Sequence, residues 1–298
     1  MISILAGIAL WASAWIGVSA IARTAAGARL SPFFVLPLLA LPWVVRAPFP
    51  QRIMLAFALA FLFMSAIDFA AGRRPATFAG RLWYVIAFTA LVDSTSAVNV
   101  LRHFDGRAAL RIAAALCVAA VAVGGWISTS ALPLALRIPI RLAAAAALVL
   151  VVAELNSDLV RLLSGAFGVQ FAAVHDDPYR SRTITEFWSR RWNQLGARWF
   201  RQHAFLPFRA RSVTLALFAL YALSAVIHVY LIASVVPATW MAMWAAFFFA
   251  QPVLIIAERC LRVGSWPQYA ARAWTFTLFI ALLPLMLTPL FAALGLDL

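Results

Sequence analysis

Nine apolar runs alternate with polar links, near residues 2–21, 31–45, 53–71, 82–98, 109–128, 132–155, 212–236, 239–257 and 273–295. Most approach the ~20 residues a helix needs to cross a hydrocarbon core. The expected architecture is all-α: a polytopic integral membrane protein with about eight or nine transmembrane helices in one domain over residues 1–298. Two runs are weaker. The second contains Pro32, Pro37 and Pro42, which kink or break a helix. The fourth carries Asp93, Ser94, Thr95, Ser96 and Asn99, which suit a cavity lining or a re-entrant segment. No fixed-period repeat supports a transporter built from inverted halves.

The one long polar interruption is 156–211. Within it, Thr185–Phe200 reads as an interfacial helix, with Thr183 or Thr185 as cap and Glu186 in the first turn. Trp188, Trp192, Leu195 and Trp199 recur every three or four residues and would form one face, flanked by Arg190, Arg191, Arg198 and Arg201. Such a helix near 185–201 would lie in the membrane surface, aromatics down. Asn193 beside that face has no obvious use in a simple anchor.

Composition sharpens this picture. The chain is 65% hydrophobic and 11% charged, far from the roughly 25% charge of soluble domains. The formal net charge of +14 comes from arginine alone, since no lysine occurs. The arginines sit mostly between apolar runs, where they anchor helix ends and set orientation, so no nucleic-acid partner is expected. Positive-inside reasoning places the 156–211 and 258–272 loops in the cytoplasm and the C-terminus outside. Alanine and arginine richness suggests a GC-rich bacterial source, hence the inner membrane. Met1–Ile21 lacks a basic leading region and is expected to be a first span, not a cleaved signal.

Several polar residues invite chemistry. Cys117 and Cys260 lack metal or disulfide spacing and are expected to be small core hydrophobes. His175, Asp176 and Asp177 stand together, but sequential ligands without a distant partner do not make a metal site, and none is expected. Asp68 and Asp93 would pair with an arginine or line a cavity. Glu154, Asn156 and Asp158 read as a cluster at a span end, Glu258 with Arg259 as a helix-end pair, and His103 and His203 as interfacial. His228 is different: it lies inside SAVIHVYLIASVV, where an ionisable group is costly. Ser224 and Tyr230 stand near enough to satisfy it.

FWSRRWNQLGARWFRQHAFLP, followed 35 residues after its asparagine by His228, resembles the signature of the membrane-bound O-acyltransferase superfamily. The EFW-x-RRWN opening resembles the wax synthase group most. Phe247–Arg259, FFFAQPVLIIAER, is similar to that family's aromatic-rich segment ending in glutamate. The resemblance covers about residues 175–295; earlier residues match only as generic spans. Departures are Val229–Tyr230 after the histidine and Pro252 where the family has glycine.

The resemblance implies acyl transfer from acyl-CoA, as cosubstrate, to the hydroxyl of a lipophilic alcohol, in contact with membrane lipids and with no other cofactor. His228 would be the general base. Asn193 would donate to the thioester carbonyl or orient the imidazole. Arg191 and Arg201, with Arg190 and Arg198, would meet CoA phosphates or lipid phosphates. Trp188, Trp192 and Trp199 would wall an acyl tunnel or anchor the segment. His203 matches the family's RH position, and Gln251 lies in the second motif. No G-x-S-x-G elbow suggests an acyl-enzyme. Competing readings are an O-acyltransferase acting on a sterol, glycan or natural product, and a transporter or scaffold whose histidine is structural.

Overall fold

The computed structural model describes residues 2–86, 98–99, 105–166, 169–170 and 174–293. Among the described residues, eight helices are long and apolar enough to cross a membrane. They are α1 (Ile4–Ile21), the segmented Ala25–Val44, α4 (Phe49–Ala70), α6 (Gly106–Ser128), α7 (Leu134–Ala166), α11 (Val213–Ala233), α12 (Ala238–Cys260) and α13 (Gln268–Ala293). Eight of the nine apolar runs thus become spans. Most of the fourth run, with Asp93, Ser94, Thr95 and Ser96, lies outside the described residues, as does His103.

The proline-rich second run is not broken but divided. α2 (Ala25–Val35) passes into a 3-10 turn over Leu36–Ala40 and then into α3 (Leu41–Val44). Pro37 and Pro42 each fall in the opening turn of their piece, where a missing N–H leaves no hydrogen bond unmade. The chain then extends through Val45–Arg46, which pair in parallel with Ile2–Ser3.

The chain folds as two units. The first holds the described residues up to Ile86, with Ile227–Met241 and Ala293. Its core joins Val18, Val35, Leu62, Phe69 and Tyr84, with Trp11 and Trp15 packed alongside. α5 (Phe78–Ile86) supplies Tyr84, whose hydroxyl donates to Asp68 at 2.7 Å. Arg73 also reaches Asp68, at 3.3 Å, so this buried carboxylate has the arginine partner its position requires.

The second unit holds the described residues from Val98 to Val226, with Ala242–Ala292. α6 and α7 pair as a hairpin. Arg111 Nε donates to both carboxylate oxygens of buried Asp158, at 3.0 and 2.9 Å. The expected polar cluster at this span end therefore includes a cross-helix ion pair. Trp126 stacks on Phe291 at 5.1 Å, and the Arg141 guanidinium lies over the Trp126 ring. The chain passes from one unit to the other inside α11, between Val226 and Ile227, and again inside α12, between Met241 and Ala242.

Both cysteines are exposed, against expectation. On helices apolar all round, composition does not distinguish core-facing positions from those turned outward.

Candidate active site

The signature segment begins at a capped helix start. Thr183 caps α8 (Ile184–Glu186), its hydroxyl accepting from Glu186 N at 2.9 Å. Two more orphan amides, of Ile184 and Thr185, donate to the Glu258 carboxylate on α12 at 2.7 and 3.3 Å. Three of the four N–H groups that such a start leaves unpaired, those of Ile184, Thr185 and Glu186, thus have acceptors. The expected Glu258–Arg259 helix-end pair is replaced by this longer-range cap.

Glu186 in turn accepts from Arg182 N at 2.8 Å and from Arg191 Nε at 2.7 Å. Partial burial pushes the Glu186 carboxyl up, but the Arg182 amide and the Arg191 guanidinium outweigh it and hold the group below its usual value.

The continuous helix expected over Thr185–Phe200 is not formed. After α8 the chain widens into a π turn over Phe187–Arg191, closed by Trp192 N donating to Phe187 O at 2.8 Å. Trp192 is extended, and Asn193 adopts a left-handed conformation with φ 38° and ψ 62°. The helix resumes as α9 (Gln194–Phe200), widens again over Arg201–Phe205, and ends in α10 (Leu206–Arg209).

Asparagine suits this break on two counts. It tolerates the left-handed region better than most residues, and its side chain can cap the next helix. Asn193 Oδ1 accepts from Gly196 N at 3.0 Å. A Cβ on Gly196 would sit 2.8 Å from Asn193 Nδ2, so glycine is what permits this close approach. The cap occupies the amide oxygen. Among the described residues Nδ2 has no hydrogen-bond partner, and it remains a donor of fixed direction.

A preceding loop pins the break from outside. Gln194 N donates to Val174 O at 2.8 Å, and Asp176 N to Arg191 O at 2.9 Å. Between these two bonds sits His175, with its backbone N–H directed to Ser157 Oγ at 3.4 Å. Its ring meets Trp192 edge-on at 4.8 Å. Burial pushes this imidazole down to about 4, so it is neutral at ordinary pH. Among the described residues no metal-holding cluster of His, Cys, Asp or Glu occurs, here or elsewhere.

The break also re-sorts the predicted aromatic face. Trp188 and Trp192 stay together, 6.4 Å apart, with Phe187 stacked on Trp192 at 5.5 Å. Trp188 Nε1 donates to Gln251 Oε1 at 2.9 Å, and Gln251 Nε2 donates to Phe247 O at 3.0 Å. Gln251 is fully buried, and Phe247 and Phe279 complete the wall around Trp188. Trp199 goes elsewhere: it is buried with its ring 4.6 Å from His203. The expected single face is therefore two clusters, because a left-handed residue at Asn193 resets the helical phase between them.

The arginines divide as well. Arg191 is held by Glu186 and by Asp176, whose carbonyl it meets at 3.2 Å, so its guanidinium is engaged within the protein. Arg190, Arg198 and Arg201 are exposed. His228 is half-buried on α11 and belongs to the first unit, whereas Asn193 belongs to the second. The Tyr230 hydroxyl, a candidate to satisfy His228, donates instead to Leu39 O at 3.1 Å.

Sequence reasoning undervalued Glu258 and His175. A carboxylate ending a long apolar run was a signal for the first. A histidine preceding the signature by fewer than twenty residues was the signal for the second.

Among the described residues, eight helices long and apolar enough to span a membrane define an all-α polytopic membrane protein. The family model of the Membrane bound O-acyl transferase family matches residues 171–251, from the His175 loop to Gln251. The match spans 81 of the 298 residues and shows what that segment is similar to. No curated protein matches the chain.

Proposed function

We propose that this protein is a wax-synthase-like acyl-CoA:alcohol O-acyltransferase, working in a bacterial inner membrane on a lipophilic alcohol. The observation that carries the reading is Asn193: within the family-matched segment, its oxygen is spent on a cap and its N–H is left as a donor. That arrangement suits an oxyanion developing on a thioester carbonyl, where one such donor is worth about 3–4 kcal/mol in other enzymes.

In the proposed step, His228 accepts the alcohol proton as the oxygen attacks the thioester carbonyl. The C–O bond forms, the C–S bond breaks, and the imidazolium returns the proton to the leaving thiolate. The products are an ester and free CoA. General-base help of this kind contributes roughly 10²–10⁴-fold. Trp188, Trp192 and Gln251 would hold the donor beside Asn193, and exposed Arg190, Arg198 and Arg201 would meet CoA phosphates. Arg191 is better read as a brace for the break than as a phosphate ligand, given its Glu186 and Asp176 contacts. Trp199 and His203 would line a separate part of the segment.

The test is thiol release from a panel of acyl-CoAs by detergent-purified protein, with long-chain alcohols, sterols and diacylglycerol as acceptors. Acceptor-dependent release that disappears in His228→Ala supports the mechanism and names the acceptor class. Release untouched by His228→Ala sinks it.

A further inference from the structure

The half of α11 that carries His228 is seated on residues far from the family-matched segment. Three side-chain links do this, all inside the first unit. Tyr230 donates to Leu39 O at 3.1 Å, and its ring lies 5.7 Å from that of Trp43. Leu231 packs on Ala56 and Ala60 of α4. Arg52, in the first turn of α4, donates from Nε to Pro42 O at 2.7 Å and from Nη2 to Ser234 O.

The two carbonyls that Arg52 takes are helix-end orphans. α3 stops at Val44 and the chain extends, so Pro42 O loses its intrahelical partner. Ser234 directly follows the last residue of α11. A cation is the favoured group at a helix C-terminus. A planar guanidinium can serve two carbonyls at fixed angles, which a lysine ammonium cannot reproduce.

These links also set rotation. At about 100° per residue, Tyr230 and Leu231 lie roughly 200° and 300° from His228 around α11. They fix the rotation of the helix that carries the imidazole. The Tyr230 bond to Leu39 O sets the phase near the histidine, and the Arg52 bond to Ser234 O ties down the helix end.

We propose that Arg52 and Tyr230 are positioning residues that hold His228 in its catalytic orientation through the C-terminal half of α11. The inference rests on the reading of His228 as the base. It connects the N-terminal helices to catalysis, since Leu39, Pro42, Arg52, Ala56 and Ala60 all precede the family-matched segment in the sequence.

The experiment measures kcat and KM per folded, monodisperse full-length protein, using palmitoyl-CoA with hexadecanol and with its 2,2-difluoro analogue. Variants are Arg52→Ala, Arg52→Lys, Tyr230→Phe and His228→Ala. Arg52→Ala should lower kcat by about tenfold or more with KM within about twofold, a part of the general-base factor. Arg52→Lys and Tyr230→Phe should fall between it and wild type. The loss should shrink with the fluorinated alcohol, whose more acidic hydroxyl depends less on a well-placed base. If Arg52→Ala does not fold, Tyr230→Phe removes one hydrogen bond and carries the test. Wild-type kcat in Tyr230→Phe and Arg52→Lys, or equal losses on both alcohols, overturns the proposal while His228→Ala stays inactive. An active His228→Ala, or wild-type protein that turns over neither alcohol, removes the underlying reading instead.

Discussion

The Glu258 carboxylate accepts the Ile184 backbone N–H at 2.7 Å across 74 positions of sequence. With the Thr185 amide at 3.3 Å, it makes α12 the cap of the signature segment. Glu258 is almost fully buried, so replacing it leaves two amides without acceptors in a place water does not readily reach.

Glu258→Gln keeps an acceptor but loses the charge-assisted part of both bonds and should cost about 1 kcal/mol of stability. Glu258→Ala should cost roughly 2–3 kcal/mol. Thermal unfolding in detergent, followed by tryptophan fluorescence, checks the order. An alanine variant as stable as wild type would refute the capping role.

Asn193 separates stability from chemistry. Asp keeps the cap and tolerates the left-handed backbone, so Asn193→Asp should change stability by less than about 0.5 kcal/mol. It loses the Nδ2 donor and should lower kcat about 10²–10³-fold. Asn193→Gly keeps the backbone and should cost only a few tenths of a kcal/mol, with a similar loss of turnover. Asn193→Ala adds backbone strain to the lost cap, about 1–3 kcal/mol together. Full activity in the aspartate variant would confine Asn193 to its cap.

His175 gives a pH dependence with a definite sign. Its folded value, about 4, lies below the ordinary 6.5, so the unfolded chain binds the proton first as pH falls. Its contribution to stability is full above pH 6.5 and is lost as pH drops toward 4, by up to roughly 3 kcal/mol. His175→Phe keeps an aromatic edge on Trp192 and should flatten the difference in thermal midpoint between pH 7 and pH 4.5. An unchanged slope would show that other groups carry the acid sensitivity.

The spans were legible because runs of ~20 apolar residues have few alternatives. The segmented second run was half legible: Pro32, Pro37 and Pro42 announce a disturbance, but only the backbone shows that two of them open new pieces. The exposure of Cys117 and Cys260 was not legible, since outward and core positions share one composition.

Within the site, Asn193 stood out as an amide without a purpose, and the structure supplies one. What sequence could not show is the break itself. Trp188, Trp192, Leu195 and Trp199 satisfy a helical period perfectly well, and local periodicity carries no record of a left-handed residue among them. The Glu258, Gln251 and Arg52 bonds span 74, 63 and 182 positions, and no local pattern encodes such pairings.

The π turn over Phe187–Arg191 makes length as binding a constraint as residue identity here. A wide turn holds one more residue than an α turn. Inserting one more residue into a turn that is already wide would swing everything downstream by about 100°. Trp192 would leave Phe187, and Asn193 would no longer meet the Val174–Asp176 loop. The segment should therefore accept many substitutions yet reject a single-codon insertion, as though it had a reading frame in three dimensions as well as in its gene.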